Sequence, residues 1–87
     1  MQEKIDWLIE HDEEIMTADG FDYALIGICE RAGYPTIATY DTNKCLAVLR
    51  ERDGMTYEEA HEYFYYNVVG AWMGDYTPCF VTLYEED

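Results

Sequence analysis

The sequence predicts an α+β domain: a small, mainly antiparallel sheet with a helical hairpin packed on one face. Three observations predict it. Residues 41–71 hold two helical periodicities separated by an Asp-Gly turn, and short runs rich in β-branched and aromatic residues stand on either side. A chain of 87 residues, finally, suffices for one core and not for two. The element order read from these runs is βββααβ, within a single domain spanning residues 1–87.

Residues 4–10 fit a short helix or an extra strand equally well. Residues 13–18 are expected to form a first strand ahead of the Asp19-Gly20 turn. The run at 23–29 is compatible with helix or strand, and the Gly33-Tyr34-Pro35 turn signal after it favours a strand leading by hairpin into 35–40. That second run, Pro-Thr-Ile-Ala-Thr-Tyr, has strand composition and stops at Asp41. Asp41 is the expected N-cap of a helix in which Cys45, Leu46, Val48, Leu49 and Arg52 recur at helical spacing. Asp53-Gly54 ends it, glycine being the residue that enters the left-handed conformation at low cost. Thr56-Tyr-Glu-Glu59 has the spacing of a capping box, in which hydroxyl and carboxylate satisfy each other's orphan amides. The second helix is expected over 57–71, with Tyr57, Ala60, His61, Phe64, Val68 and Ala71 inward and Gly70 and Gly74 about its end. Residues 79–84, opened by Thr77-Pro78, read most clearly as strand. Trp7 and Trp72 are expected in the core.

Charge is the dominant compositional signal. Nineteen acidic residues face five basic ones, for a formal net charge of −14 and a pI near 4.1. With 49% apolar and 16% aromatic residues, the chain is not a disordered acidic tail. Such a charge opposes direct binding of nucleic acid or an anionic membrane and attracts a basic protein. It is also segregated. Residues 1–22 carry a net −7, residues 23–52 a net +1, and residues 53–87 a net −8. No apolar run approaches the roughly 18 to 20 residues that span a bilayer, and the N-terminus lacks the basic and apolar regions of a signal peptide. Cys29, Cys45 and Cys79 are widely spaced and form no Cys-x-x-Cys pair, so they read as wholly or partly buried thiols of a cytoplasmic protein.

Motifs for chemistry are sparse. Glu58 and His61 stand at i, i+3, half of a di-iron pattern, but no second Glu-x-x-His exists to complete a coordination shell. His11-Asp12 has the look of a paired metal ligand, yet the chain holds two His in all, too few for an HD-type hydrolase centre. No glycine-rich loop cradles phosphate, and neither Thr17 nor Thr56 has a base beside it. The reading is therefore of a non-enzymatic protein with no catalytic residue, no metal and no cofactor.

What remains is the acidic surface. Glu13, Glu14, Asp19 and Asp22 cluster near the first turn, and Glu58, Glu59 and Glu62 line the start of the second helix. On a strand, alternate carboxylates would lie about 6.5 to 7 Å apart, close to the spacing of successive phosphates along a nucleic-acid strand. Crowding them costs self-repulsion, which stability alone does not favour; solubility is the competing explanation. Tyr63, Tyr65 and Tyr66 with Phe64 cannot all face inward on one helix, so at least one or two Tyr should be exposed. Tyr65 and Tyr66 are the candidates to stand beside the carboxylates as contact residues.

The run Arg52-Asp-Gly-Met-Thr-Tyr-Glu-Glu-Ala60, with Tyr63-Phe64, Asn67-Val-Val-Gly70-Ala71-Trp72, Gly74, Thr77-Pro78 and Phe80, resembles small acidic proteins of phages and bacterial mobile elements. Asp19-Gly20-Phe21-Asp22 and Ala24-Leu-Ile-Gly27 extend the resemblance to about three quarters of the chain. It implies a phage accessory role, some small acidic phage proteins being anti-CRISPR or other anti-defence inhibitors, and it transfers no motif onto numbered positions. Together these readings predict an inhibitor that binds a basic nucleic-acid-handling protein of the bacterial host, such as a CRISPR effector, and excludes DNA or RNA. The alternative is a self-associating accessory protein, a homodimer with an apolar strand edge buried, whose acidity serves solubility.

Overall fold

The computed structural model describes residues 2–84. Its elements run in the order α1 (Gln2–His11), a 3-10 turn (Asp22–Ala24), β1 (Leu25–Cys29), β2 (Ile37–Asp41), α2 (Thr42–Arg52), α3 (Tyr57–Tyr63), a π-helical turn (Phe64–Val69) and β3 (Cys79–Val81). Three helices and a three-stranded sheet make an α+β fold. Its sheet is mixed, however: β1 pairs antiparallel with β2, and β2 pairs parallel with β3. The parallel pair departs from the antiparallel expectation for a physical reason. Residues 70–78 bring the chain back after the helices, so β3 enters beside Thr39 and leaves beside Asp41, in the direction of β2.

The residues that open and close the helices behave as their chemistry dictates. Asp41 accepts the Lys44 amide at 3.2 Å, and the amides of Asp53 and Met55 return to the Leu49 carbonyl. Gly54 takes a positive φ of 67° at this corner. Both arms of the capping box form: Thr56 Oγ1 accepts from the Glu59 amide at 3.2 Å, and Glu59 Oε1 accepts from the Thr56 amide at 2.9 Å. Beyond Tyr63 the single helix expected over 57–71 widens into the π-turn. Glycine is required where that turn ends, because a Cβ on Gly70 would meet the Tyr66 carbonyl oxygen at 2.9 Å.

Tyr40 is fully buried at the centre of the sheet and gathers the remaining chain. Paired residues project to one face, so Leu25, Ile28, Ala38, Tyr40 and Phe80 share the core side. Leu25 and Ile28 are three apart in sequence and reach the same face because a bulge interrupts the pairing between Leu25 and Gly27. Phe64 closes over Phe80 edge-on at 5.1 Å, while Cys45, Leu46 and Leu49 fill the space under α2. The helical pair thus covers one face of the sheet, as expected.

Several expectations are corrected. Residues 13–18 form no strand: the Asp12 carboxylate takes the Glu14 amide at 2.9 Å, and the Ala18 amide donates to the Tyr40 hydroxyl at 2.8 Å, so a ladder partner is replaced by side chains. Residues 4–10 are helical, with Leu8 fully buried. The last strand stops at Val81 rather than 84. Neither tryptophan is core. Trp7 is 41% exposed and meets the His11 ring edge-on at 4.5 Å, and Trp72 is 73% exposed in the segment between Gly70 and Gly74. Cys45 is buried, and burial pushes its thiol up to about 12, but Cys29 is exposed. No helix among the described residues is long and apolar enough to cross a membrane.

Candidate interaction site

The capping box sets where α3 begins, and Ala60 and Phe64, both buried, fix which side of it faces the core. At 100° per residue the opposite side then carries Glu58 and Glu62, one turn apart. Both are exposed, and among the described residues neither has a cation or hydrogen-bond partner. Beside this pair runs a ladder of rings. Tyr57 and His61 stand 6.0 Å apart and His61 and Tyr65 4.6 Å apart, centroid to centroid. The Arg50 guanidinium lies 5.9 Å over Tyr57 at the start of the ladder. Tyr57 and His61 had been expected inward. Both lie on the surface, Tyr57 at 54% exposure, and the buried positions of α3 and the turn after it are Ala60 and Phe64. The π-turn puts Phe64 in the core and leaves Tyr65 and Tyr66 on the surface, Tyr66 at 83% exposure.

Glu59, grouped with Glu58 and Glu62 on sequence, has a different occupation. The Thr56 amide and hydroxyl hold its carboxyl below the usual carboxylate range, so its charge is committed to the helix start.

The first acidic block is brought to this surface by one arginine. Arg52 Nη1 donates to the Gly20 carbonyl at 2.8 Å, while Nε and Nη2 donate to the two carboxylate oxygens of Asp53, each at 3.1 Å. The same guanidinium lies 5.6 Å over the Phe21 ring. Its pairing holds the Asp53 carboxyl below the ordinary range. The Asp19-Gly20 turn is thereby fastened to the corner between α2 and α3. Tyr63 forms a shared wall: it lines a cleft with Asp19 on one side, and a shallow depression with Glu59 and Glu62 on the other.

Of the sequence-predicted carboxylates, Asp19, Glu59 and Glu62 therefore converge around Tyr63, and Glu58 continues that face along α3. Glu13 and Glu14 follow the end of α1, where Asp12 accepts the Tyr76 hydroxyl at 2.9 Å, a bond that pushes the Tyr76 phenol upward. They lie in irregular chain, so the strand-spaced row expected of them is absent. Asp22 is half-buried in the 3-10 turn, and the carbonyl oxygens of Asp22 and Tyr23 in that turn and of Leu25 at the start of β1 receive the Lys4 ammonium at 3.0 to 3.3 Å. It does not belong to the exposed group. The C-terminal acids Glu85, Glu86 and Asp87 lie outside the described residues.

The His11-Asp12 pair is engaged structurally. His11 Nδ1 lies 2.8 Å from the Trp7 carbonyl, and Asp12 is engaged by Tyr76 and Glu14. Among the described residues no three His, Cys, Asp or Glu side chains gather as ligands for a metal. No protein-family model, curated protein or solved structure matches the chain.

Proposed function

We propose that the chain is a non-enzymatic phage or mobile-element inhibitor that acts in the cytoplasm of a bacterial host. It binds a basic nucleic-acid-handling protein, a CRISPR effector being one example, and competes with DNA or RNA. One observation carries this reading: Glu58 and Glu62 present uncompensated carboxylates on one face of α3, flush with a ring ladder and with the nearly fully exposed Tyr66. Like charges one helical turn apart cost the free helix about 0.2–0.5 kcal/mol, a cost that a cationic partner reverses. Exposed aromatics beside them supply contact area with few rotors to immobilise.

The test is capture from a bacterial lysate at low and high salt, followed by displacement of the captured protein with a DNA or RNA oligonucleotide. The wild-type chain should retain a basic protein at low salt, release it at high salt and lose it to the oligonucleotide. Glu58→Lys combined with Glu62→Lys should weaken capture, with Glu59 left intact because its carboxylate holds the helix start. Salt-insensitive capture, or capture that the double reversal leaves unchanged, would sink the proposal.

A second reading, self-association, is favoured by Trp72 and Met73, adjacent and both exposed beyond the π-turn. The surface is then this apolar corner, since the bulge at Ile26 spoils the β1 edge for strand pairing. Sedimentation of the wild type against Trp72→Ser decides it: a dimer that becomes monomeric in the variant supports self-association, and a monomer at all concentrations excludes it.

A further inference from the structure

The cleft on the Asp19 side of Tyr63 has chemistry of its own. Its volume is about 300 Å³, and its lining includes Phe21, Tyr63, Asn67, Val68 and Phe80 together with the exposed carboxylate of Asp19. Clefts that hold small organic molecules run from about 300 to 1,000 Å³, so this one suits a single long side chain and not a helix or a strand. A lining with three aromatic rings and one exposed carboxylate calls for a ligand with an apolar stem and a positive head. Asp19 meets no cation of its own among the described residues. The neighbouring Arg52 pairs with both oxygens of Asp53 through Nε and Nη2 and donates from Nη1 to the Gly20 carbonyl. Resting on the proposed reading of the surface as one that engages a basic protein, we infer that this cleft receives an arginine side chain of that partner.

Arginine fits better than lysine for two reasons. A planar guanidinium can stack on an aromatic face while pairing with a carboxylate through two parallel N–H groups, whereas an ammonium is a strongly hydrated point charge. The chain itself shows the first arrangement next door, where Arg52 lies over Phe21 and pairs two-pronged with Asp53. The cleft thus converts a general attraction between opposite charges into selection of one residue type.

The experiment needs no partner protein. The full chain, labelled with nitrogen-15, is titrated with acetyl-Gly-Arg-Gly-amide, with the Lys analogue and with the Glu analogue, at fixed moderate salt. Amide shifts from the Arg peptide should concentrate at residues 17–21, 63–68 and 77–80. Asp19→Asn, which keeps the shape of the turn, should weaken binding by about fivefold. Ala71→Phe, which fills the cleft from its lining, should abolish binding while the dispersed spectrum shows that the chain is folded. Glu30→Gln, an exposed acid between β1 and β2 and outside both the cleft and the α3 face, should leave the affinity unchanged. Equal binding of the Lys peptide overturns the arginine assignment. Equal weakening by Asp19→Asn and Glu30→Gln, or shifts spread over all acidic positions, overturns the cleft as a site. Either failure leaves the salt-sensitive capture experiment standing, and failure of capture leaves the peptide result standing.

Discussion

Tyr40 shows how much of this fold depends on a single hydroxyl. Its oxygen takes the Ala18 amide, and burial raises its phenol above the ordinary value despite that bond. Tyr40→Phe would leave the amide without an acceptor in a half-buried place. We expect a loss of about 1–3 kcal/mol, read as a lower denaturant midpoint with an unchanged slope. Glu59, like Asp53, contributes to the pH dependence. Its folded carboxyl lies below the ordinary 4.5, so the stabilisation it provides is complete above that value and is lost as pH falls below it. Glu59→Gln should keep the fold and flatten the acid limb of a plot of Tm against pH, whereas Thr56→Ala should cost about 1 kcal/mol near neutral pH. An acid limb that Glu59→Gln leaves as steep as before would place this titration elsewhere. Both members of the capping box were legible in the sequence, because a cap is a local device whose donors and acceptors lie within four residues. The Tyr40 bond was not legible: it joins positions 22 apart, and nothing in the composition of residues 13–18 distinguishes a strand from a loop held by a distant hydroxyl.

At the scale of elements, α2 and the start of α3 follow their sequence signals almost residue for residue, and the π-turn does not. Hydrophobic spacing of three and four continues through Val68 and Ala71, so a period-based reading extends the α-helix. The widening is set by tertiary packing, which seats Phe64 on Phe80. Gly70 is the trace it leaves in the sequence, ambiguous until the backbone around it is known. Gly70→Ala should therefore cost about 1–3 kcal/mol despite an ordinary φ of −74°, since the added carbon meets a backbone oxygen that cannot swing aside. Tolerance of alanine there, measured by thermal melting, would show that the turn relaxes to α-helical geometry. The parallel β2–β3 pair was likewise outside what local signals reveal. Strand composition does not encode direction, and residues 70–78, which set it, contain neither helix nor strand.

For the whole molecule, the arithmetic of charge meets the dimensions of the fold. The radius of gyration is 13.3 Å, whereas the screening length is about 30 Å at 0.01 M salt and about 8 Å at 0.15 M. In dilute buffer every carboxylate therefore feels the others across the molecule, and at physiological ionic strength only its neighbours. Melting temperature should rise with sodium chloride over this range, and a flat or falling response would mean that the net −14 is locally compensated. The sequence discloses the two acidic blocks but not their junction, because a charge sum over residues 23–52 includes Arg52 as one base among four and carries no sign that it braces Gly20 to Asp53. The bulge in β1 has a consequence of another kind. A sheet of three strands has two open rims, each a template on which a foreign chain could grow into a fibre. One rim here is kinked at Ile26 and the other is three residues long, so neither offers the flat, regular row of donors and acceptors that such growth copies. The protein should therefore withstand storage at high concentration without forming fibrils, even with half of its residues apolar.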